Sequence, residues 1–191
     1  MYGTLKKILS KFIFSLFYYP RKEVKIMYNT VKNSNSEYIV SLLSKQKKYF
    51  ESGATLDVNF RITMLKKLRD TIEKYENEIA EALKTDLGKN TFESYMCETG
   101  LTIFLRANFF TFLIIKLISQ MVWTPPMQFA STSFKKASPY GNTLIMSPWN
   151  YPFMLTLEPL ADALAAGNTA IVKPSAYSPA TSAIIKKIIG E

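Results

Sequence analysis

Apolar positions recur along this chain with helical spacing over its first half, and the pattern then changes. Within residues 36–50 (SEYIVSLLSKQKKYF), Ile39, Leu42, Leu43, Gln46 and Phe50 fall on one face, with Gly53 just beyond. That spacing predicts a short amphipathic helix. A stronger signal follows. Asp57 stands where a cap belongs, and Phe60, Met64, Leu68, Ile72, Tyr75, Ile79 and Leu83 step by three or four. Lys66, Lys67, Arg69, Glu73 and Glu78 lie between them, and Gly88 offers a stop. This predicts a long helix packed on its own domain; the length argues against a coiled-coil partner helix. Pro125, Pro126 and Pro139 punctuate residues 124–140, where Gln128–Phe134 alternates weakly. An extended arm or strand, able to pair with a neighbour, is expected there.

Residues 141–191 read differently. Thr143–Ser147 is a short apolar strand, and Pro148-Trp149-Asn150-Tyr151-Pro152 a turn. Phe153–Ala166 has helical spacing through Leu157, Leu160, Leu164 and Ala165, with Gly167 as a left-handed cap. Thr169–Val172 is a second strand, and Lys173-Pro174-Ser175 turns the chain. Ser178 stands at the cap of a second helix, with Pro179 in its first turn and Ile184, Ile185 and Ile188 along it. Two strands joined through one helix run parallel with a right-handed crossover. Ligands of such sheets bind outside the carboxyl ends of the strands. Loops Ser147–Asn150 and Lys173–Ala176 therefore lie at one edge, and neighbouring strands would let Asn150 and Lys173 border one pocket. The fold class is α/β: N-terminal helices, then the first β-α-β-α unit of a Rossmann-like parallel sheet.

Charge and composition narrow the choices. The net charge of +9 is uneven: residues 1–50 hold 10 Lys and Arg against 2 Asp and Glu, the rest 14 against 13. No nucleic-acid surface is expected from that distribution, which reads as a solvated basic N-terminal segment. With one cysteine, Cys97, and no histidine, the chain has no internal disulfide, no zinc cluster and no Ser-His-Asp or Cys-His machinery of its own. No metal is expected, and a cytoplasmic location fits the cysteine usage. Residues 1–19 hold an apolar run interrupted by Lys11, with no small-residue cleavage site after it. In residues 101–122, Arg106 and Lys116 leave an uncharged run of only nine, Ala107–Ile115. A bilayer span needs about 20 mostly apolar residues, so a membrane-associated protein is the lesser reading.

From the residues alone, the candidate site stays open. Without its flanking motif Asn150 reads first as a cap for the following helix, Lys173 before a proline reads as an exposed turn lysine, and Trp149 is more often a packing residue than a ligand contact. The fingerprint G-x-G-x-x-G is absent, so that signature does not support a dinucleotide.

Three motifs in order change the weighting. Ser147-Pro148-Trp149-Asn150-Tyr151-Pro152, Ala165-Ala166-Gly167-Asn168-Thr169 and Val172-Lys173-Pro174-Ser175 resemble the first nucleotide-binding segment of the aldehyde dehydrogenase superfamily. Upstream, Phe60-Arg61, Tyr75-Glu76, Ala82-Leu83 and Asp86-Leu87-Gly88-Lys89 resemble it too, and lean toward its short, class 3-like branch with the fatty-aldehyde enzymes. The resemblance covers roughly residues 36–100 and 124–191. It implies a truncated aldehyde dehydrogenase fold and NAD(P)-dependent oxidation of a small-molecule aldehyde to an acid, with NAD or NADP as cofactor. Asn150 would donate its side-chain amide to the oxyanion. Lys173 would contact the cofactor ribose, Ser147, Pro148 and Trp149 would line the cofactor, and Ser175 would bind it as well. A homodimer is implied for a full-length relative.

Three departures limit the carry-over. The family's cysteine nucleophile and glutamate base fall later than residue 191, so the isolated chain is expected to be inactive, with Cys97 a buried structural thiol. Ala176 stands where many members have a ribose-binding Glu, leaving NAD and NADP both open. Residues 102–122 do not resemble the family's polar helix there. The expected organisation is an extension over 1–27 (Met27 being an alternative start), a helical region over 28–123, the arm over 124–140, and the start of an NAD(P)-binding domain over 141–191. A non-catalytic binding or assembly module is the alternative function.

Overall fold

Helix caps and one buried stripe explain most of the helical layer. The computed structural model describes residues 35–103 and 120–191. The apolar run of residues 1–19 and most of residues 101–122 lie outside them. Helix α1 (Ser36–Glu51) starts at Asn35, whose side chain accepts from the Glu37 N–H at 3.3 Å. Its apolar stripe is only partly covered, with Ile39 and Leu43 exposed. Asp57 caps α2 (Val58–Lys74) by accepting from the Asn59 and Phe60 N–H groups.

The long helix expected from Phe60 to Leu83 is two helices. Tyr75 leaves helical geometry at φ −104°, ψ 16°, and α3 (Glu76–Leu87) begins behind it. Glu76 and Glu78 in the first turn of α3 suit a helix start, where backbone N–H groups carry positive charge. Gly88, at φ 70°, ends α3. The short α4 (Thr91–Ser94), capped by Asn90, runs into a π-helical turn, Tyr95–Thr99. Cys97 in that turn is half-buried rather than buried.

At the end of the stretch expected to be helical, β1 (Gln120–Val122) is a strand, and it pairs antiparallel with β2 (Ser133–Lys135) of the arm. Met121, Trp123, Met127, Phe129 and Phe134 are all exposed along this hairpin. Then β3 (Asn142–Met146) pairs parallel with β4 (Thr169–Lys173), from Asn142 opposite Thr169 to Met146 opposite Lys173. Helix α5 (Met154–Ala165) connects them, and α6 (Pro179–Gly190) follows. This is the expected parallel β-α-β-α unit.

One face of the two-stranded sheet carries the core. Ile72, Ile79 and Leu83 of the helical layer, with Phe153 and Leu157, are wholly buried, and they pack with Ile145, Leu160, Ile184, Ile185 and Ile188. Leu144 and Met146, on the other face of β3, are 64% and 68% exposed.

The helical layer is tied to the sheet unit by polar contacts as well. Arg61 is buried, and its guanidinium donates to the carbonyls of Ala165 (3.0 Å) and Leu56 (2.9 Å). Burial pushes its pKa below the ordinary arginine value, and Asp57 acts the other way. Gly167, at φ 85°, sits directly against this junction: a Cβ there would lie 3.0 Å from the Thr55 carbonyl oxygen. Glycine is needed at this cap for both its conformation and its size.

Candidate active site

The parallel register brings the two post-strand loops together. The Ser147 N–H donates to the Lys173 carbonyl at 3.3 Å, extending the pairing one step past β3. Ser178 Oγ donates to the Trp149 carbonyl at 3.3 Å, so the second loop also holds the first. Thr156 Oγ1 lies 2.6 Å from Ser147 Oγ and fixes the start of the turn from inside.

The sequence-predicted residues divide by exposure. Pro148, Trp149, Asn150 and Lys173 are exposed at this edge, and Ser147 is half-buried. Ser175 is buried, and its hydroxyl accepts from the Tyr177 N–H at 3.2 Å, so it is committed to its own turn. Asn150 and Lys173 share the edge, and an open cleft of about 710 Å³ lies elsewhere. Tyr49, Phe60, Met64, Leu164, Asn168 and Thr169 line it, at the amino-terminal end of β4.

Two carboxylates that the sequence reading missed complete the architecture. Glu98, wholly buried in the π turn, accepts from the N–H groups of Phe153 (2.9 Å) and Met154 (3.2 Å). Its other oxygen is paired with Lys89 Nζ. Lys89 in turn reaches the Asn150 carbonyl at 3.4 Å and lies 4.2 Å from the centre of the Tyr151 ring. Asp86, at the end of α3, accepts from the N–H groups of Ala180 (3.1 Å) and Thr181 (2.7 Å) and from the Thr181 hydroxyl. Ser178 is therefore the cap of α6 by position only; its side chain makes no capping bond.

Glu98 also changes the meaning of Asn150. The first free N–H groups of α5 already have an acceptor, so Asn150 is not the helix cap. Its exposed carboxamide has no hydrogen-bond partner among the described residues.

This edge suits part of a nicotinamide dinucleotide. An exposed ammonium at Lys173 and the exposed Ser147–Asn150 loop offer donors to ribose hydroxyls and an apolar wall to a ring. It offers no phosphate cradle, because the N-termini of α5 and α6, where a phosphate would bind, are filled by Glu98 and Asp86. No group of three or more Cys, Asp or Glu side chains able to hold a metal ion occurs among the described residues.

A parallel β-α-β unit with its loops at the carboxyl edge of the strands is the arrangement found in nucleotide-binding α/β proteins. The chain belongs to the aldehyde dehydrogenase family, whose model matches residues 18–191. It is 44% identical to the 4,4'-diaponeurosporen-aldehyde dehydrogenase of Staphylococcus aureus (strain NCTC 8325 / PS 47) over 149 residues, which covers 76% of this chain and 32% of that protein. It is 34% identical to aldehyde dehydrogenase family 3 member H1 of Arabidopsis thaliana over 158 residues, 78% of this chain and 31% of the other, in keeping with the class 3-like branch. The solved substrate-bound state of Staphylococcus aureus AldH superposes with a TM-score of 0.77 at 43% identity, over 80% of this chain and 33% of that one. More distant aldehyde dehydrogenases of the same fold were solved with NADP+ and with NAD+. The chain spans about a third of the length of the curated relatives it matches.

Proposed function

We propose that this chain supplies the oxyanion donor and one wall of the coenzyme site for NAD(P)-dependent oxidation of an aldehyde to a carboxylic acid. The observation that carries this reading is Asn150: relieved of capping by Glu98, its carboxamide stands uncommitted at the carboxyl edge of the sheet, beside the Lys173 loop. The bound nicotinamide accepts hydride in such a reaction. The Asn150 amide would donate to the carbonyl oxygen as it gains charge. A neutral donor does this without a proton transfer, and loss of one such donor costs about 10²–10³ in rate. Lys173 would donate to ribose hydroxyls, Ser147, Pro148 and Trp149 would line the coenzyme, and Ser175 would shape the turn from which Lys173 projects. Family membership supports NAD or NADP as coenzyme and a small aldehyde as substrate.

The reaction also needs a thiolate nucleophile and a base. Cys97, the sole cysteine, lies in the helical layer and matches no catalytic motif of the family. We expect no turnover from the 191-residue polypeptide alone. The test combines aldehyde with NAD+ or NADP+ and follows absorbance of the reduced coenzyme, while tryptophan fluorescence reports binding. Steady production of reduced coenzyme by the pure chain would refute the inactivity. Coenzyme affinity indifferent to Lys173→Met would refute the ribose contact.

No helix among the described residues is long and apolar enough to cross a membrane. A second reading, an assembly module, is favoured by the exposed apolar side chains of the β1–β2 hairpin. Pairing through that arm would make a homodimer, visible by sedimentation equilibrium and lost on Met121→Lys with Phe134→Lys.

A further inference from the structure

The buried Lys89–Glu98 pair has a reach beyond its own helices. Glu98 is wholly buried and Lys89 nearly so, in a place where apolar side chains of similar volume would serve stability as well or better, because removing two charges from water is costly. Apart from the bond within the pair, every side-chain hydrogen bond it makes among the described residues instead falls on the turn of residues 150–154. Lys89 Nζ holds its first carbonyl, that of Asn150, and lies over the Tyr151 ring. Glu98 holds its last two N–H groups, those of Phe153 and Met154. Pro152 between them is buried, which leaves the turn little freedom.

We infer that Lys89 and Glu98 are positioning residues for Asn150: the pair clamps residues 150–154 at both ends and so fixes where the Asn150 carboxamide stands. Its relevance to catalysis rests on the reading of Asn150 as the oxyanion donor. Glu98 occupies the N-terminus of α5, which prevents Asn150 from turning inward to cap it. Lys89 holds the Asn150 backbone, so the side chain has one fixed origin. A pair acting only as a general brace would contact more than this turn.

The experiment uses the full chain, labelled with nitrogen-15, and reads amide hydrogen exchange together with the Asn150 side-chain NH₂ resonances. In Lys89→Met, exchange at Phe153 and Met154 is expected to rise about tenfold or more relative to Leu160–Ala165 of the same helix, as the cap opens locally. The Asn150 NH₂ signals should shift, as the backbone that carries the side chain loses its bond to Lys89 beside the Tyr151 ring. Lys89→Arg, which keeps the charge, should restore both. An even rise across α2, α3 and α5, or an unmoved Asn150 signal, would overturn the inference. Should Lys89→Met fail to fold, Glu98→Gln serves: its amide oxygen can still cap α5, but the ion pair is gone. The Asn150 signal should then shift while Phe153 and Met154 stay protected, and an unshifted signal overturns the clamp. Asn150→Ala in an aldehyde-oxidising assembly separates the two readings. An unchanged rate there refutes the oxyanion role and leaves the exchange result standing. A lost rate, with no local effect of Lys89→Met, overturns the positioning alone.

Discussion

Asp86→Ala tests how strongly the helical layer is tied to the nucleotide-binding unit. The Asp86 carboxylate takes the N–H groups of Ala180 and Thr181 and the hydroxyl of Thr181, which is wholly buried. Loss of a helix cap costs about 1–2 kcal/mol. A buried hydroxyl left without a partner costs about 1–3 kcal/mol more. Together, Asp86→Ala should lower stability by about 2–5 kcal/mol, a large share of the 5–15 kcal/mol typical of a folded domain. Urea denaturation followed by circular dichroism measures it. Thr181→Val removes the hydroxyl while keeping the side-chain shape. In the double variant the valine no longer needs the carboxylate, so a double-mutant cycle should give a coupling of about 1–2 kcal/mol. Asp86→Asn, with one acceptor oxygen left, should fall between wild type and alanine. A loss for Asp86→Ala within about 0.5 kcal/mol of zero would show that water replaces the carboxylate, and would refute the reasoning.

Other substitutions probe the same architecture. Gly167→Ala forces a side chain into left-handed backbone against the Thr55 carbonyl, and should cost at least about 1–2 kcal/mol in the same denaturation assay. Leu157→Ala, at a wholly buried position, should cost about 2–5 kcal/mol by cavity formation, and a compensating collapse would show as a smaller loss in thermal melts. Arg61→Met keeps much of the packing volume but strips donors from the Ala165 and Leu56 carbonyls. A loss of about 2–4 kcal/mol is expected from these orphaned acceptors, and proteolysis should show early cleavage near Gly53–Asp57.

Local signals were legible in the sequence and distant ones were not. Asp57 caps a helix that begins one residue later, and Gly88 and Gly167 lie within two residues of the helix ends they close, so a linear reading finds all three. The break at Tyr75 escapes it, because Ile72, Tyr75, Ile79 and Leu83 keep helical spacing across the break and all remain buried. The stripe of α1 was visible in the sequence, but how little of it is covered was not, since periodicity describes a face and not its partner. Asn150 and Lys173 were found through their motifs and the parallel strands between them. Glu98 and Asp86 were missed because they cap helices 55 and 94 residues further along the chain. Glu98 is the one charged residue of Met96–Thr102, and nothing local distinguishes a buried charge from a solvated one.

Those two long-distance caps bear on any attempt to make a smaller protein from this one. A piece starting near residue 140 would keep both strands, both loops and both helices, yet each helix would begin with naked backbone donors and Asn150 would become the nearest replacement acceptor for α5. Such a miniature would tend to consume the very amide it was cut out to present. A designer should either retain the segment from Asp57 to Thr102 or write new acceptors into the loops themselves.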